Sequence, residues 1–149
     1  MIRKARVDDV KKIKMLINHY AKLNQMLPRS LNELYENIRD FSLYTESDKI
    51  YGCCALHVGW EDLAEIKSLA VARSRTKRGI GAKLLKQCLA EARILKVKKV
   101  FALTYIPDFF TRFGFKLIDK QELPHKIWSE CVKCVHFPDC GENAMMKEM

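Results

Sequence analysis

The sequence is poor in the features that mark unfolded, fibrous or membrane-spanning chains. It contains only 6 Gly and 4 Pro in 149 residues, and 48% of its residues are hydrophobic, a composition typical of globular proteins. No apolar run approaches the roughly 18 residues that a membrane-spanning helix needs, and the first ten residues lack the apolar core of a secretory signal. We find no internal repeat. We therefore interpret residues 1–149 as one soluble, cytoplasmic domain with a real core.

Acidic residues are scarce in one part of the chain. Between Lys67 and Lys99 there are eleven Lys or Arg and one acid, Glu91, a surplus of +10, whereas the whole chain carries +9. A basic surface throughout would favour nucleic acid, but a local concentration favours a compact polyanion. Charge alone leaves open a simple solvated helix face. The basic segment also lacks the interleaved aromatic residues of a nucleic-acid surface, so we predict neither a nucleic-acid nor a membrane partner.

The spacing of apolar residues predicts a chain of mixed helices and strands. Helices are indicated from Asp8 or Asp9 to residue 23, and from Ser30, which with Glu33 forms a capping box. Further helices are indicated at 81–95 and after Pro107, and the tail from 124 reads as irregular up to 143–147. The predicted strands are 2–6, 41–45, 50–58, 63–72, 99–105 and 115–119.

The order of these elements predicts the fold class. Strand 63–72, the helix after it and strand 99–105 make one βαβ unit, so these two strands should be parallel neighbours. The other connections suit antiparallel pairing. We therefore predict an α/β fold of the α+β type, with a mixed and mostly antiparallel sheet, one parallel strand pair and flanking helices.

A glycine turn, "RTKRGIGAKLL" (75–85), joins the central strand to the long helix. The first N–H groups of a helix have no backbone partner and the helix dipole favours negative charge there, so this turn suits an anion. Gly79 and Gly81 allow close approach of a phosphate, and Lys77, Arg78 and Lys83 add charge. The pattern is neither a P-loop nor GxGxxG, and glycine turns can also be purely structural.

The stretches "LAEIKSLAVARSRTKRGIGAKLL" and "PDFFTRFGF" together resemble the GCN5-related N-acetyltransferases, over about residues 2–120. In that family a loop written (Gln/Arg)-x-x-Gly-x-(Gly/Ala) cradles the pyrophosphate of acetyl-CoA. Gly79 and Gly81 match its glycines, whereas Thr76 replaces the usual Gln or Arg, for which Arg75 or Arg78 could substitute, and Lys77 stands where another Gly is common. The resemblance implies acetyl-CoA as the cofactor, held by Leu69, Ala70, Val71, Lys77, Arg78, Gly79, Ile80, Gly81, Ala82, Lys83 and Phe110.

The resemblance also implies residues for the chemistry, in which an ammonium must lose a proton, an oxyanion must be held and a thiolate must leave. Glu65, fourteen residues before Gly79, matches the family's general base, and its alternative is a strand residue paired with a lysine. Backbone groups of residues 69–71 would polarise the thioester. Phe110 replaces the usual Tyr acid and cannot donate a proton. Either Tyr105 substitutes or the thiolate leaves without an acid, which we favour.

A narrower resemblance concerns the acceptor. "MLPRSLNELYENIRDF", "AEIKSLAV", "ALTYIPDFFTRFGF" and "LPHKIWSECVKCVHFPDC" are similar to the short N-acetylglutamate synthases of arginine biosynthesis, which implies L-glutamate as acceptor and a homodimer. Arg29, Lys67 and Lys126 are then candidate partners for its carboxylates, because Arg pairs a carboxylate bidentately. Alternatives are another small amine, a protein N-terminus as acceptor, or a sensor that binds acetyl-CoA without turnover.

The six cysteines fall into two groups. Cys53, Cys54 and Cys88 lie in apolar segments, where a thiol acts as a small hydrophobe. The tail contributes further candidate metal ligands, but their spacing does not suit most structural zinc sites, and we predict no metal. Free thiols or a redox pair are the alternatives, since a cytoplasmic chain does not normally hold a structural disulfide. These tail residues are Cys131, Cys134, His136 and Cys140.

Overall fold

A computed structural model describes residues 1–23, 25–26, 28–123 and 142–149. Within these ranges, seven strands form one sheet in the order β1-β2-β3-β4-β5-β7-β6. The strands are β1 (Ile2–Lys4), β2 (Phe41–Glu46), β3 (Lys49–Trp60), β4 (Leu63–Val71), β5 (Lys99–Thr104), β6 (Lys116–Ile118) and β7 (Asn143–Glu148). The α-helices of the described ranges are α1 (Val10–Ala21), α2 (Leu31–Glu36), α3 (Ile80–Ile94) and α4 (Pro107–Thr111).

The central pair of strands confirms the predicted fold class. β4 and β5 are parallel, and every other strand pair of the described sheet is antiparallel. The parallel ladder ends where Ile66 pairs with Ala102. Within the described chain, Lys67, Ala70 and Val71 of β4 therefore pair with β3 on one edge, and residues 67–71 have no β5 partner on the other. A gap opens between β4 and β5 at this end of the sheet.

The two faces of the sheet are covered by different helices. α3 is amphipathic and packs Leu84, Leu85 and Cys88 on one face, whereas α1 and α2 cover the other. Neighbouring Cys53 and Cys54 point to opposite faces because side chains alternate along a strand, and all three described cysteines are buried. No helix of the described ranges combines the length and apolarity needed to cross a membrane.

The ends of the chain differ from the sequence-based prediction. The tail contributes β7, which lies between β5 and β6 and pairs with both. The first strand ends at Lys4 rather than at residue 6, because the backbone N–H of Arg6 donates to Asp9 and begins a 3-10 turn. Asp9 is the N-cap residue of α1, as predicted, but its side chain makes no capping hydrogen bond to this helix. It pairs with Arg3 at 2.8 Å, and this hydrogen bond lowers the pKa of Asp9.

The start of α2 shows half of the predicted capping box. Ser30 Oγ accepts a hydrogen bond from the backbone N–H of Glu33 at 3.1 Å, as an N-cap residue should. The Glu33 carboxylate lies 3.6 Å from Arg29 Nε. The cap therefore fixes the end of the α1–α2 loop, and with it Arg29, against the sheet.

Candidate active site

A β-bulge shapes β4 just beyond its parallel ladder. Cys53 pairs with Ala70 but Ala55 pairs with Lys67, so two residues of β4 lie opposite one residue of β3. Ser68 sits in this bulge with φ of 56°, in the left-handed region, and its carbonyl accepts a hydrogen bond from Cys53 Sγ at 3.2 Å. The bulge reverses which side chains of β4 face α1 and α2. Residues 69–71 follow it along the open edge of the strand.

The glycine turn leads directly into α3, as the sequence predicts. Gly79 is the N-cap residue with φ of 77°, and Lys77 also has a positive φ of 64°, a conformation that favours glycine. Ile80 is buried, so only its backbone can contact a ligand. Lys77, Arg78 and Lys83 are exposed around the turn. The unpaired N–H groups of α3 and these cations therefore form a compact positive site.

Two aromatic contacts flank the glycine turn. A Cβ placed on Gly81 would lie 3.6 Å from Phe109 Cζ, so this ring borders the first turn of α3. Arg75 donates to Glu46 at 2.9 Å and its guanidinium lies 4.3 Å from the centre of the Tyr51 ring. Arg75, the first residue of the glycine turn, is therefore held by an acid and an aromatic ring.

We expect alanine to have opposite effects at the two glycines. Gly79→Ala should lower the free energy of unfolding by about 1 kcal/mol, because an L-residue is disfavoured in the left-handed region. Gly81→Ala should raise it by about 0.5 kcal/mol, because alanine favours a helix over glycine and its Cβ would meet only ordinary contacts. Urea unfolding of the cofactor-free variants measures both. Equal changes in the free energy of unfolding for the two variants would contradict the left-handed conformation of Gly79.

Glu65, Lys67 and Arg29 lie on the side of β4 that faces α1 and α2. The Glu65 side chain is 13% exposed, and Lys67 Nζ lies 3.9 Å from its Oε1. Arg29 is 7% exposed and donates from Nη1 to Ser68 Oγ at 3.3 Å. The structure therefore brings Arg29, which is distant in sequence, to the stretch of β4 next to the bulge that carries Glu65 and Lys67.

Arg29 is held from several directions. Its guanidinium lies 5.4 Å from the centre of the Phe41 ring, and its backbone carbonyl accepts a hydrogen bond from Lys14 Nζ at 2.7 Å. A guanidinium this deeply buried needs anionic or polar partners, because burying a charge is costly. Ser68 and the half-exposed Glu33 supply part of that requirement.

Sequence reasoning missed a second pair of polar side chains near Glu65. His57 on β3 is the cross-strand partner of Glu65, and its Nδ1 lies 2.7 Å from Oδ2 of Asp40. Tyr20, which donates to the carbonyl of Val71, was also missed. Residues such as His57 give no local signal, since only the pairing of β3 with β4 brings them to the site.

The structure places the remaining predicted residues as follows. Phe110 is 4% exposed and packs edge-on against Phe115 with ring centres 5.2 Å apart, so Phe109 is the ring of this pair that meets Gly81. Tyr105 is exposed just after β5. Lys126 and the tail residues Cys131, Cys134, His136 and Cys140 lie outside the described residues.

Comparison with known proteins identifies the class to which this site belongs. Residues 37–117 match the acetyltransferase (GNAT) domain family. The chain is 38% identical over 148 residues to an uncharacterised N-acetyltransferase from Chlorobaculum tepidum, covering 99% of this chain and 96% of that one. It is also 38% identical to an amino-acid acetyltransferase from Mycobacterium tuberculosis, covering 87% and 76% of the two chains. The chain belongs to the GNAT family and is an N-acetyltransferase.

Solved structures agree with this assignment. A Mycobacterium tuberculosis protein in complex with CoA and a second ligand has a TM-score of 0.86 at 33% identity, with 100% of this chain and 99% of that chain covered. The N-acetylglutamate synthase from Neisseria gonorrhoeae, complexed with coenzyme A and N-acetylglutamate, has a TM-score of 0.91 at 27% identity. The match covers 99% of this chain but 34% of that synthase. The predicted family and fold are therefore confirmed.

Proposed function

We propose that this enzyme transfers the acetyl group of acetyl-CoA to the α-amine of L-glutamate, the first acetylation of arginine biosynthesis. The observation that carries the proposal is the buried guanidinium of Arg29 beside the β4 bulge, next to Glu65 and Lys67. A small acceptor with one amine and two carboxylates suits a site that has one carboxylate and two cations. The amino-acid acetyltransferase relative supports an amino acid as acceptor, and the N-acetylglutamate synthase structure supports glutamate.

Acetyl-CoA would occupy the gap between β4 and β5 and extend to the start of α3. The backbone of Leu69, Ala70 and Val71 lies along the open edge of β4, where an extended amide-containing arm can add as a strand would. The pyrophosphate would meet the N–H groups of residues 79–82 and the cations Lys77, Arg78 and Lys83. Phe109, with Phe110 behind it, would close the apolar side.

The proposed site residues have separate roles in the reaction. Acetyl-CoA supplies an activated acyl group, and the chain must supply a neutral amine in front of it. Glu65 accepts a proton from the substrate ammonium, directly or through a water, so that the nitrogen lone pair can form the new C–N bond while the C–S bond breaks. Arg29 and Lys67 bind the carboxylates, with Lys126 as a further proposed partner. No tyrosine stands at position 110, and the thiolate would leave without an acid.

The decisive experiment is a product survey by mass spectrometry. The enzyme is incubated with acetyl-CoA and each of the twenty amino acids in turn, and we expect N-acetylglutamate as the dominant product. A thiol-reactive dye is avoided because the six cysteines of the chain would add background. Another acetylated amino acid as the main product would reassign the acceptor. Acetyl-CoA binding without any acetylated amino acid would overturn the glutamate proposal.

A further inference from the structure

His57 and Asp40 form a polar pair beside the proposed active site. Nδ1 of His57 lies 2.7 Å from Oδ2 of Asp40, which belongs to the 3-10 turn Ile38–Asp40 immediately before β2. A carboxylate only accepts hydrogen bonds, so Nδ1 carries the proton in this contact. In the neutral ring the other nitrogen, Nε2, must then be the acceptor. Asp40 therefore fixes His57 in the form that has a basic Nε2.

The strand pairing places His57 next to Glu65. The two residues are directly opposite in the antiparallel β3–β4 ladder, and such partners have Cβ atoms about 5 Å apart on the same face of the sheet. β3 lies between the Asp40 turn and β4. Nε2, across the ring from the contact with Asp40, is thus on the side of β4. His57 and Glu65 are close enough to exchange a proton directly or through one water.

The two side chains differ in their access to solvent. The Glu65 side chain is 13% exposed, whereas that of His57 is 36% exposed. A nearly buried carboxylate that has taken a proton from the substrate must lose it before the next turnover. Imidazole gains and loses protons near neutral pH, so a half-exposed imidazole next to Glu65 is a suitable route for that proton to water.

We propose that His57, oriented by Asp40, relays the substrate proton from Glu65 to solvent. The relay rests on the proposed role of Glu65. First an N–H bond of the ammonium breaks and the proton binds the Glu65 carboxylate. That O–H bond then breaks as Nε2 of His57 gains the proton, and Asp40 stabilises the resulting imidazolium. Finally Nε2 releases the proton to water, which restores both side chains without any change in oxidation state.

Charged groups on two neighbouring elements surround His57. Asp40 and Arg39 lie on the 3-10 turn, and Glu65 and Lys67 lie on β4. The neighbours of His57 on its own face of β3 are uncharged. To accept the proton from Glu65, Nε2 of His57 must carry no proton of its own.

Variants of the pair test the relay. His57→Gln should lower kcat about 10- to 100-fold, as loss of a proton-transfer group does, and should leave the KM for both substrates unchanged. Asp40→Asn should have a similar effect, because its amide can donate to Nδ1 and leave Nε2 protonated. His57→Ala should regain turnover when imidazole is added to the buffer. His19→Gln is the matched control, since this exposed histidine on α1 contacts Arg73, and it should keep wild-type kcat.

The outcomes separate the relay from the proposed function. If Glu65→Gln loses activity while His57→Gln keeps the kcat and the pH profile of the wild type, the relay is wrong and Glu65 remains the base. If Glu65→Gln stays fully active, the proposed role of Glu65 is wrong, and the relay that rests on it is wrong as well. A nitrogen-15 NMR spectrum of the imidazoles provides a test without turnover: a proton on Nε2 rather than on Nδ1 in neutral His57 would overturn the relay, and imidazole rescue with the expected tautomer would support it.

Discussion

Glu65→Gln should lower kcat for acetyl transfer about 100- to 10,000-fold, the usual contribution of a positioned general base. Glutamine has nearly the shape of glutamate and keeps a hydrogen-bonding group, but it cannot accept the proton of an ammonium ion. The Glu65 side chain is 13% exposed and lies where the β4–β5 ladder ends. Loss of the carboxylate therefore removes the proposed proton acceptor without removing a proposed cofactor contact.

Two measurements distinguish this effect from misfolding. Calorimetric titration with coenzyme A should give a wild-type affinity for Glu65→Gln, because the proposed cofactor contacts come from residues 69–71, residues 77–83 and Phe109 with Phe110 behind it. Glu61→Gln, in the exposed turn between β3 and β4, is the matched control and should keep wild-type kcat. A Glu65→Gln variant that retains the wild-type rate at every pH would show that another group removes the proton.

The parts of the fold that follow from local chemistry could be predicted from the sequence. The heptad-like spacing of Leu85, Cys88, Leu89 and Ala92 indicates α3, and the glycines before it indicate the turn. A strand, a helix and a strand in succession then require a parallel pair, which the structure shows. These features depend on residues close together in the chain, so the sequence contains the whole signal.

The features that depend on distant residues could not be predicted. β7 lies between β5 and β6, where it pairs the backbone N–H and C=O groups at the edges of both strands. No local sequence pattern indicates this strand order. The bulge at Ser68 depends on how β4 pairs with β3. His57 and Asp40 are seventeen residues apart in the sequence. Only the pairing of β3 with β4 places them beside Glu65.

Local sequence also predicts one part of the candidate site and not another. Glu65, Lys67 and the glycine turn could be named as candidates because their motifs lie along one strand and one turn. The burial of Arg29 and its contact with Ser68 require the α1–α2 loop to fold over β4. The assigned roles, the homodimer and the single domain stay predictions, which mutagenesis and measurement of mass in solution can test.

Arg29→Ala should raise the KM for L-glutamate about 100-fold, with the KM for acetyl-CoA unchanged. A hydrogen bond to a charged group contributes about 1.5–3 kcal/mol, and about 1.4 kcal/mol corresponds to a factor of ten in affinity. Arg29 is 7% exposed, so solvent screens its charge little. Arg29→Lys should raise the KM about 10-fold, because lysine keeps the charge but loses the planar fork that pairs with a carboxylate.

A change in stability must be separated from a change in binding. Alanine at position 29 removes the contacts with Phe41 and Ser68, so thermal unfolding of each variant is measured alongside its kinetics. Arg93→Lys, an exposed arginine near the end of α3, is the matched control and should leave both KM values unchanged.

A double-mutant cycle on protein and substrate shows whether Arg29 contacts a carboxylate. The wild type should discriminate against each of the two glutamate analogues in which one carboxylate is an amide. If Arg29 binds one of these carboxylates, the Arg29→Ala variant should lose most of its discrimination against the matching analogue and keep its discrimination against the other, because the two changes remove the same interaction. Fully additive losses with both analogues would show that Arg29 only supports the fold of the α1–α2 loop. Non-additivity with one analogue would instead identify which end of the acceptor lies beside Ser68, and hence which way its amine points along β4.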